Sequence, residues 1–554
     1  MAIVTPGIHF IARAAYKLGA IVLLAYWLRS WTLLLLPLLL PFYPVLLYRY
    51  YTHRASSLNA RLAPRVRGGL PFNIDIMRRS QNDQHPCDTL AALATEYGPT
   101  FNTDLLGLMH IVTTSPKHIQ RVLATNFDNF EKGEAFQDTM SSVLGTGVFN
   151  SDGKMWKFHR TMTRPFFSRD RISHFDLFDE YAQSVVAKMK ERFRMGVALD
   201  FQDLIQRFTL DSATEFLFGK SVESLSGVLP YPPSSALHLG KTHKKTHPEV
   251  FADAFLSALE ILHERGDEAW IWPLFEIFKD KTAAPMSIVN QFIEPIVSEA
   301  VRQRDEEKNG IRETDDNQKD TLLDHLVRET SDPKVLKDEI LNILIAGRDT
   351  TGWTLSVLVY FLCTNPLVCT RLREEIINSV GPVRRPTFED IKGMKYLRAV
   401  INETLRLYPA VPVNIRTSIK ETTLPSDDLD DLDIYVPAGT PIPYSVFLMH
   451  RRKDLWGPDA EQFDPLRFID ERHHRITKNP WIFLPFNAGP RICLGQQFAY
   501  NEMSFIIIRL LQAFEGFELD ESMGGKFCPK LTLTFYAGGG IWIKAKEAGE
   551  IEEV

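Results

Sequence analysis

Cysteine is scarce in this chain. There are five, at Cys87, Cys363, Cys369, Cys493 and Cys528, in 554 residues. An odd number of scattered cysteines argues against a disulfide framework and for a reducing compartment. No second cysteine or histidine stands two to four residues from Cys493, so no zinc cage can form around it. Positive charge is not in excess either: 63 Lys and Arg against 69 Asp and Glu leave a formal net charge of -6, which speaks against a nucleic-acid binder. No Gly-x-Gly-x-x-Gly segment is visible, so the chain shows no dinucleotide fingerprint of its own. No repeat period is evident. What remains is an ordinary globular balance, 45% hydrophobic and 24% charged, with ample length for a large core in one or two domains.

One long apolar run is present. Ile21 to Leu47 is broken only by Arg29, Ser30 and Thr32 among the polar residues. About 20 apolar residues suffice to span a bilayer as a helix. Pro37, Pro41 and Pro44 would kink it, which membrane helices tolerate better than soluble ones. Trp27, Trp31, Tyr43, Tyr48, Tyr50 and Tyr51 suit the interfaces. The run is too long for a signal peptide and lacks a small-residue cleavage site. Arg49, Arg54, Arg61, Arg65 and Arg67 follow it, against Arg13 and Lys17 before it, which places the remainder on the cytosolic side. One span and a bent pair both stay open. The expected organisation is an anchor region over 1–54 and a globular domain over 55–554, with Pro64 to Pro71 as a hinge.

The chemistry gathers at Phe486-Asn-Ala-Gly-Pro-Arg-Ile-Cys-Leu-Gly495, between the apolar Trp481–Pro485 and a helix expected over Gln496–Leu511. A lone cysteine in a glycine-rich turn can be the single axial thiolate of a haem, leaving the opposite face of the iron open. It can also be a buried free thiol. Gly489 and Gly495 let backbone approach the sulfur and a porphyrin, and can take positive φ. Arg491 offers a fork for a propionate carboxylate, and Phe486 would shield the sulfur. The pattern Phe-x-x-Gly-x-Arg-x-Cys-x-Gly resembles the cysteine-loop signature of the cytochrome P-450 family of haem-thiolate monooxygenases.

Other segments match that family in order. Trp156 and Arg160, four apart on an expected helix, share a face and resemble the Trp-x-x-x-Arg pair that addresses a propionate. An almost continuous apolar helix is expected from about Lys334 to Cys363, with Ala346-Gly347-Arg-Asp349-Thr350-Thr351 in its middle. Gly, Asp and Thr are mediocre helix formers. Small residues there would let a flat cofactor lie against the backbone, and a local widening would free a carbonyl and a hydroxyl for water. The resemblance makes Asp349 and Thr350 the acid-threonine pair of the oxygen-binding helix. Glu403 and Arg406 lie at i and i+3 and can pair; the resemblance joins Arg467, in Phe463-Asp-Pro-Leu-Arg467-Phe468, to them in a structural role. Arg416 falls where the family places another propionate partner. The acidic run Ser426–Asp433 departs from the pattern and reads as a solvated loop. Leu531–Tyr536 alternates like one strand.

The resemblance implies a mainly α fold with small β-sheets, plus the N-terminal membrane-anchor helix. It implies haem b with Cys493 as its axial thiolate, whose electron donation favours cleavage of the O–O bond of bound dioxygen. Thr350 with water would pass protons, and Asp349 would connect that site to solvent. Electrons would come from a separate NADPH–cytochrome P-450 reductase, with Lys154, Lys157, Arg160 and Arg164 as part of a docking face. The expected location is the endoplasmic reticulum membrane, with the catalytic domain facing the cytosol. The motifs are similar to those of fungal alkane- and fatty-acid-hydroxylating members, so a lipid-soluble C–H substrate is favoured. A broad-range xenobiotic or aromatic-hydrocarbon hydroxylase is the alternative. A haem-thiolate isomerase or dehydratase, which can lose the acid-threonine pair, fits less well.

Overall fold

The computed structural model describes residues 5–27, 43–167, 175–233, 235, 245–310, 321–428, 430–520 and 527–549. The chain divides into two compact units. The first comprises Met1–Ser142, Ser257–Met286 and Asn414–Tyr444; the second comprises Val143–Leu256, Ser287–Val413 and Ser445–Val554.

The first unit carries two of the sheets. Five short strands pair in the order Thr100–Asn102, Ile111–Thr113, Pro441–Ser445, Val413–Ser418 and Phe130–Glu131. Phe101 and Val112 from this sheet pack with Val66 and with Leu93 of the helix Asp88–Tyr97. A second sheet sets Ala60–Arg61 parallel to Asp433–Val436, with Thr422–Leu424 on the far side. The acidic run leading into it is more than a solvated loop. Asp427 accepts a hydrogen bond from Ser115 Oγ at 2.7 Å, Asp431 pairs with Arg61 at 2.6 Å, and Asp433 accepts from Thr423 Oγ1 at 3.0 Å. Its carboxylates tie the loop to three other segments of the unit.

At the N-terminus a helix runs over Pro6–Trp27 and another over Tyr43–Ser57. The heart of the expected anchor, 28–42, lies outside the described residues. Among the described residues no single helix is long and apolar enough to cross a membrane.

The second unit is mostly helical, and five of its helices build the site. We label them α1 (Gly153–Thr163), α2 (Phe201–Phe218), α3 (Pro333–Thr364), α4 (Lys395–Leu407) and α5 (Gln496–Ala513). Helix α3 starts where sequence chemistry says it must. Asp332 caps it by accepting from the Lys334 and Val335 N–H groups, and Pro333 occupies the first turn, where its missing N–H costs nothing. It stops at Asn365, whose backbone the following Pro366 pushes out of the helical region. Leu355, Leu358 and Leu362 of α3, Phe208 of α2, Leu405 of α4 and Phe505 of α5 share one buried core. That shared core fixes α3 as the axis of the unit, because burial on every side leaves it no other placement.

A small sheet of Phe514–Leu519, Trp542–Glu547 and Leu199–Asp200 closes the end of α5. The alternating stretch Leu531–Tyr536 does not form one strand. It bends at 532–534 between the strands Cys528–Leu531 and Phe535–Gly538. Both the N–H and the hydroxyl of Thr532 donate to Thr534 O, at 2.9 and 3.1 Å, so a local threonine turn overrides the alternation.

Candidate active site

Helix α3 is buried at every residue from 338 to 359 except Ala346, Gly347 and Thr350. These three lie at i, i+1 and i+4, so they form one stripe. A stripe of partial exposure in the middle of a core helix looks onto interior space. The expected widening of the helix is not found. Thr350 Oγ1 donates to Ala346 O at 2.6 Å, and Thr354 Oγ1 to Thr350 O at 2.8 Å, so these hydroxyls are held back along a regular α-helix.

The cysteine loop is closed by its own backbone. The Cys493 N–H donates to Phe486 O at 3.0 Å, and the Ile492 N–H to Gly489 O at 3.0 Å. The turn needs positive φ at Gly489 (66°), which glycine takes freely, and at Asn487 (62°), where asparagine is among the tolerant types. Cys493 keeps accessible surface, yet enough protein surrounds it that burial pushes its thiol pKa up. The two observations agree if the sulfur lies on the wall of an interior space, and we read it so. The Gly495 N–H and the charge of Arg160 act the other way, favouring thiolate. Phe486 packs on Tyr500 at 5.1 Å, and Tyr500 Oη donates to Asn402 on α4 at 2.7 Å.

Arg160 is half-buried, and its guanidinium has no hydrogen-bond or ion-pair partner among the described residues. Burial lowers its pKa while Cys493 raises it, so cation and sulfur are electrostatic neighbours. Trp156 is buried, with the Arg491 guanidinium over its ring at 4.6 Å. The Arg491 fork meets Asp152 Oδ1 at 2.5 Å and Ser151 O at 3.0 Å. The pair therefore fastens the cysteine loop to the start of α1. Arg416 belongs to the first unit, where it is buried and bonded to Asn414 Oδ1 at 2.9 Å and Ile415 O at 2.7 Å. Neither Gly347 nor Gly495 is demanded by protein packing. A Cβ there would meet Ala213 at 3.6 Å and Phe167 at 3.7 Å, ordinary contacts.

Helix α1 owes its position to polar residues of α3 that sequence reading missed. Glu339, fully buried, accepts from Thr163 Oγ1 at 2.6 Å and from the Val148 N–H at 3.0 Å. His159 Nδ1 lies 2.8 Å from the same carboxylate, but too obliquely to count as a hydrogen bond. Asn342 accepts from the Phe149 N–H at 2.9 Å and donates to Leu144 O at 2.8 Å. The signal was there: three polar residues, Asp338, Glu339 and Asn342, stand at i, i+1 and i+4 in an apolar helix.

Behind the cysteine loop, Glu403 and Arg406 of α4 form a two-pronged ion pair at 2.7 and 2.8 Å, and Arg467 joins Glu403 at 2.9 Å. All three are buried. Arg406 also donates to His450 O, Ala460 O and Gln462 O, and the Asp464 N–H donates to Glu403. His450 completes the lock. Its Nδ1 is 3.1 Å from Arg406 O and its Nε2 accepts from the Leu484 N–H at 3.0 Å, just before the loop. Burial, with Arg406 close by, pushes its pKa down to about 3, so it stays neutral and can accept.

On α3, Arg348 Nη1 lies 3.3 Å from Asp349 Oδ1, and both are buried. Burial raises the Asp349 pKa; the Arg348 charge lowers it. Glu502 of α5 is also buried and accepts from Ser212 Oγ of α2 at 2.7 Å. Burial pushes its pKa up to about 8, against the Ser212 and Thr351 hydroxyls.

These residues fit a haem-thiolate centre. They supply a single sulfur with accessible surface, a half-buried cation with no hydrogen-bond or ion-pair partner among the described residues, and a stripe of small residues on the core helix. Among the described residues no cluster of three or more His, Cys, Asp or Glu could hold a bare metal ion instead.

Comparison with known proteins agrees. The family model for cytochrome P450 matches residues 64–534. The chain is similar to cytochrome P450 52A3-A of Candida maltosa, 36% identical over 489 residues that cover 86% of this chain and 89% of that protein. It is similar to cytochrome P450 monooxygenase g430 of a Fusarium species, 35% identical over 85% of this chain and 82% of that protein. It is also similar to cytochrome P450 52A1 of Candida tropicalis, 36% identical over 80% of this chain and 79% of that protein. The chain thus belongs to the cytochrome P450 family: it is a monooxygenase carrying haem b on a cysteine thiolate, and it inserts one atom of O2 into a C–H bond of a hydrophobic substrate.

Proposed function

We propose that Cys493 is the axial thiolate, that Thr350 and Asp349 manage the protons, and that the preferred substrates are fatty acids or alkanes. The observation that carries this reading is the setting of Cys493. Its sulfur keeps accessible surface within surrounding protein, receives the Gly495 N–H and has the partner-poor Arg160 cation nearby. Bound there, the haem supplies O2 activation and oxygen transfer. The protein's share is separate. The cysteine loop holds the sulfur, the α3 stripe leaves room beside Ala346 and Gly347, and the Thr350 hydroxyl sits at its edge to hold water and pass protons. Asp349 lies one residue away as the link toward solvent. Arg160 and Trp156 are the propionate-facing pair of α1. Phe486, Gly489, Arg491 and Gly495 shape the loop, while Glu403, Arg406 and Arg467 hold its surroundings.

Electrons reach the site from a redox partner, which we take to be NADPH–cytochrome P450 reductase. Lys154 and Lys157 on α1 and Arg164 just after its end are exposed, suiting an acidic partner. Arg160 points inward and leaves that set. Residues 1–54 serve as the membrane anchor of a catalytic domain over 55–554, at the cytosolic face of the endoplasmic reticulum. Ile8, Ile11, Leu18, Leu23 and Trp27 are exposed on the first helix, which supports burial in lipid.

The test is a panel of fatty acids, alkanes and aromatic hydrocarbons given to the haem-loaded protein with reductase and NADPH, read by mass spectrometry. Hydroxylated fatty acid or alkane is the expected product; turnover of aromatic compounds alone would reverse the substrate assignment. Cys493→Ala is expected to abolish the long-wavelength Soret band of the reduced carbonyl form, and a retained band would remove the sulfur from its role.

A further inference from the structure

Arg348 has no place in the chemistry described so far, and its position is costly. It sits mid-helix with a buried side chain, and its Nε has no hydrogen-bond partner. An apolar residue would avoid the desolvation that a buried guanidinium incurs. Its contact with Asp349 is not a by-product of helical spacing either. Neighbours along a helix point about 100° apart, and i, i+1 side chains do not face each other. The long arginine must curl back to bring Nη1 within 3.3 Å of Asp349 Oδ1.

Its surroundings are defined. The guanidinium lies 5.9 Å from the Phe255 ring. Its charge is also felt by Asp203 of α2, which pairs with Arg207 at 2.9 Å, and Arg207 in turn meets Glu249 at 3.3 Å. Those three satisfy one another. For Asp349 the balance differs: Arg348 is the one charged group among the described residues that bears on it.

We propose that Arg348 is a positioning residue for the proton step, a resident counter-ion that orients the Asp349 carboxyl and keeps it able to ionise beside Thr350. This rests on the assignment of Asp349 to the proton route. Burial alone drives the carboxyl toward its neutral form, which gives up a proton reluctantly and holds the route in one state. Arg348 opposes that drive. Removing its charge raises the Asp349 pKa further, so at any given pH more of the carboxyl is protonated. The acid-side fall in product formation then moves to higher pH.

The experiment compares Arg348→Met, Arg348→Lys and Asp349→Asn as haem-loaded proteins with their electron donor. Product formed per NADPH consumed is followed across pH, in H2O and in D2O. Arg348→Met is expected to lower coupling several-fold near neutrality, to enlarge the solvent isotope effect, and to move the acid-side midpoint upward. Arg348→Lys is expected to restore most of the midpoint. If the Met variant fails to take up haem, Arg348→Gln carries the same comparison. A neutral variant with the parent's midpoint and isotope effect overturns the counter-ion role, even if its activity falls. If Asp349→Asn impairs coupling while Arg348→Met does not, only the role of Arg348 is lost. If Asp349→Asn couples like the parent, the proton route through Asp349 falls and this inference with it.

Discussion

Two buried ion pairs in the second unit are built in opposite ways. At Glu403, both carboxylate oxygens are used: Arg406 takes two bonds, Arg467 one, and the Asp464 N–H another. The two arginines extend the network to backbone carbonyls of His450, Asp459, Ala460 and Gln462. At Asp349, one 3.3 Å contact with its sequence neighbour is the ion pair, and the Arg348 Nε goes unbonded. The cost of burying charge is similar in kind at both places; the compensation is not. A network with every donor and acceptor met has one geometry and holds it. A pair with spare capacity can change protonation or orientation at little expense. Saturation suits the first to architecture, and spare capacity is what the role proposed for the second requires.

The contrast breaks most heavily at Glu403. Glu403→Gln removes the charge that two buried guanidiniums share: Arg406 loses its carboxylate partner, and Arg467 keeps only Asp459, at 3.2 Å. Breaking a buried pair from one side typically costs roughly 3–5 kcal/mol, a large part of a domain's whole stability. The expected result is little folded, haem-loaded protein, seen as loss of the long-wavelength carbonyl band and a much lower urea midpoint. A variant of near-parental midpoint would mean the network is not the lock described here.

A third buried carboxyl sharpens the comparison, because it has hydroxyl partners and no cation. Glu502 sits between α2, α3 and α5, and burial pushes its pKa up to about 8, from 4.5 for a free glutamate. A raised folded-state pKa gives a stabilising contribution that is full below the unfolded value and is lost as pH rises through the folded one. For this group the loss therefore runs from about pH 4.5 to about pH 8, at about 1.4 kcal/mol per unit of pH for one proton. Glu502→Gln removes that slope. Denaturation of parent and variant from pH 5 to pH 9 is expected to give similar stabilities at the acid end and a flatter curve for the variant above it. Parallel curves would place Glu502 as an ordinary ionised carboxylate.

These pairs differ also in how far they could be read beforehand. The Cys493 loop, the Asp349-Thr350 pair and the Glu403-Arg406-Arg467 set were legible because each rests on residue types at fixed short spacing, and α3 because its apolar run is long and cleanly capped. The Arg348 contact was not, since i, i+1 neighbours on a helix are not expected to touch. Nor was the stitching of α1 by Glu339 and Asn342, which depends on which loop the fold brings alongside. His450 looked like any histidine until Leu484 was placed against it. The turn at Thr532–Thr534 was hidden for a related reason: alternation reports a half-buried face, while the threonine hydrogen bonds that broke it leave no periodic trace. The contact of Arg491 with Asp152, 339 residues away in the chain, was not legible either.

The subtlest break is at Thr350, where architecture and chemistry should come apart. Its hydroxyl is bonded back to Ala346 O at 2.6 Å, and that carbonyl is also an ordinary acceptor in the helix ladder. Thr350→Ala therefore orphans no buried group. It forfeits at most about 1 kcal/mol of side-chain hydrogen bond and regains part of that because alanine is the better helix former. Thermal unfolding should be nearly unchanged. The proposed proton function has no such substitute, because alanine offers no hydroxyl to hold water at the stripe of Ala346 and Gly347. Product formed per NADPH is expected to fall about tenfold, equivalent to about 1.4 kcal/mol in the barrier, with peroxide or water making up the difference. Thr350→Ser, which keeps the O–H and loses only a methyl, should couple far better than Thr350→Ala. If alanine and serine couple alike, the hydroxyl is another piece of scaffold, and the division between saturated and unsaturated buried groups does not extend to it.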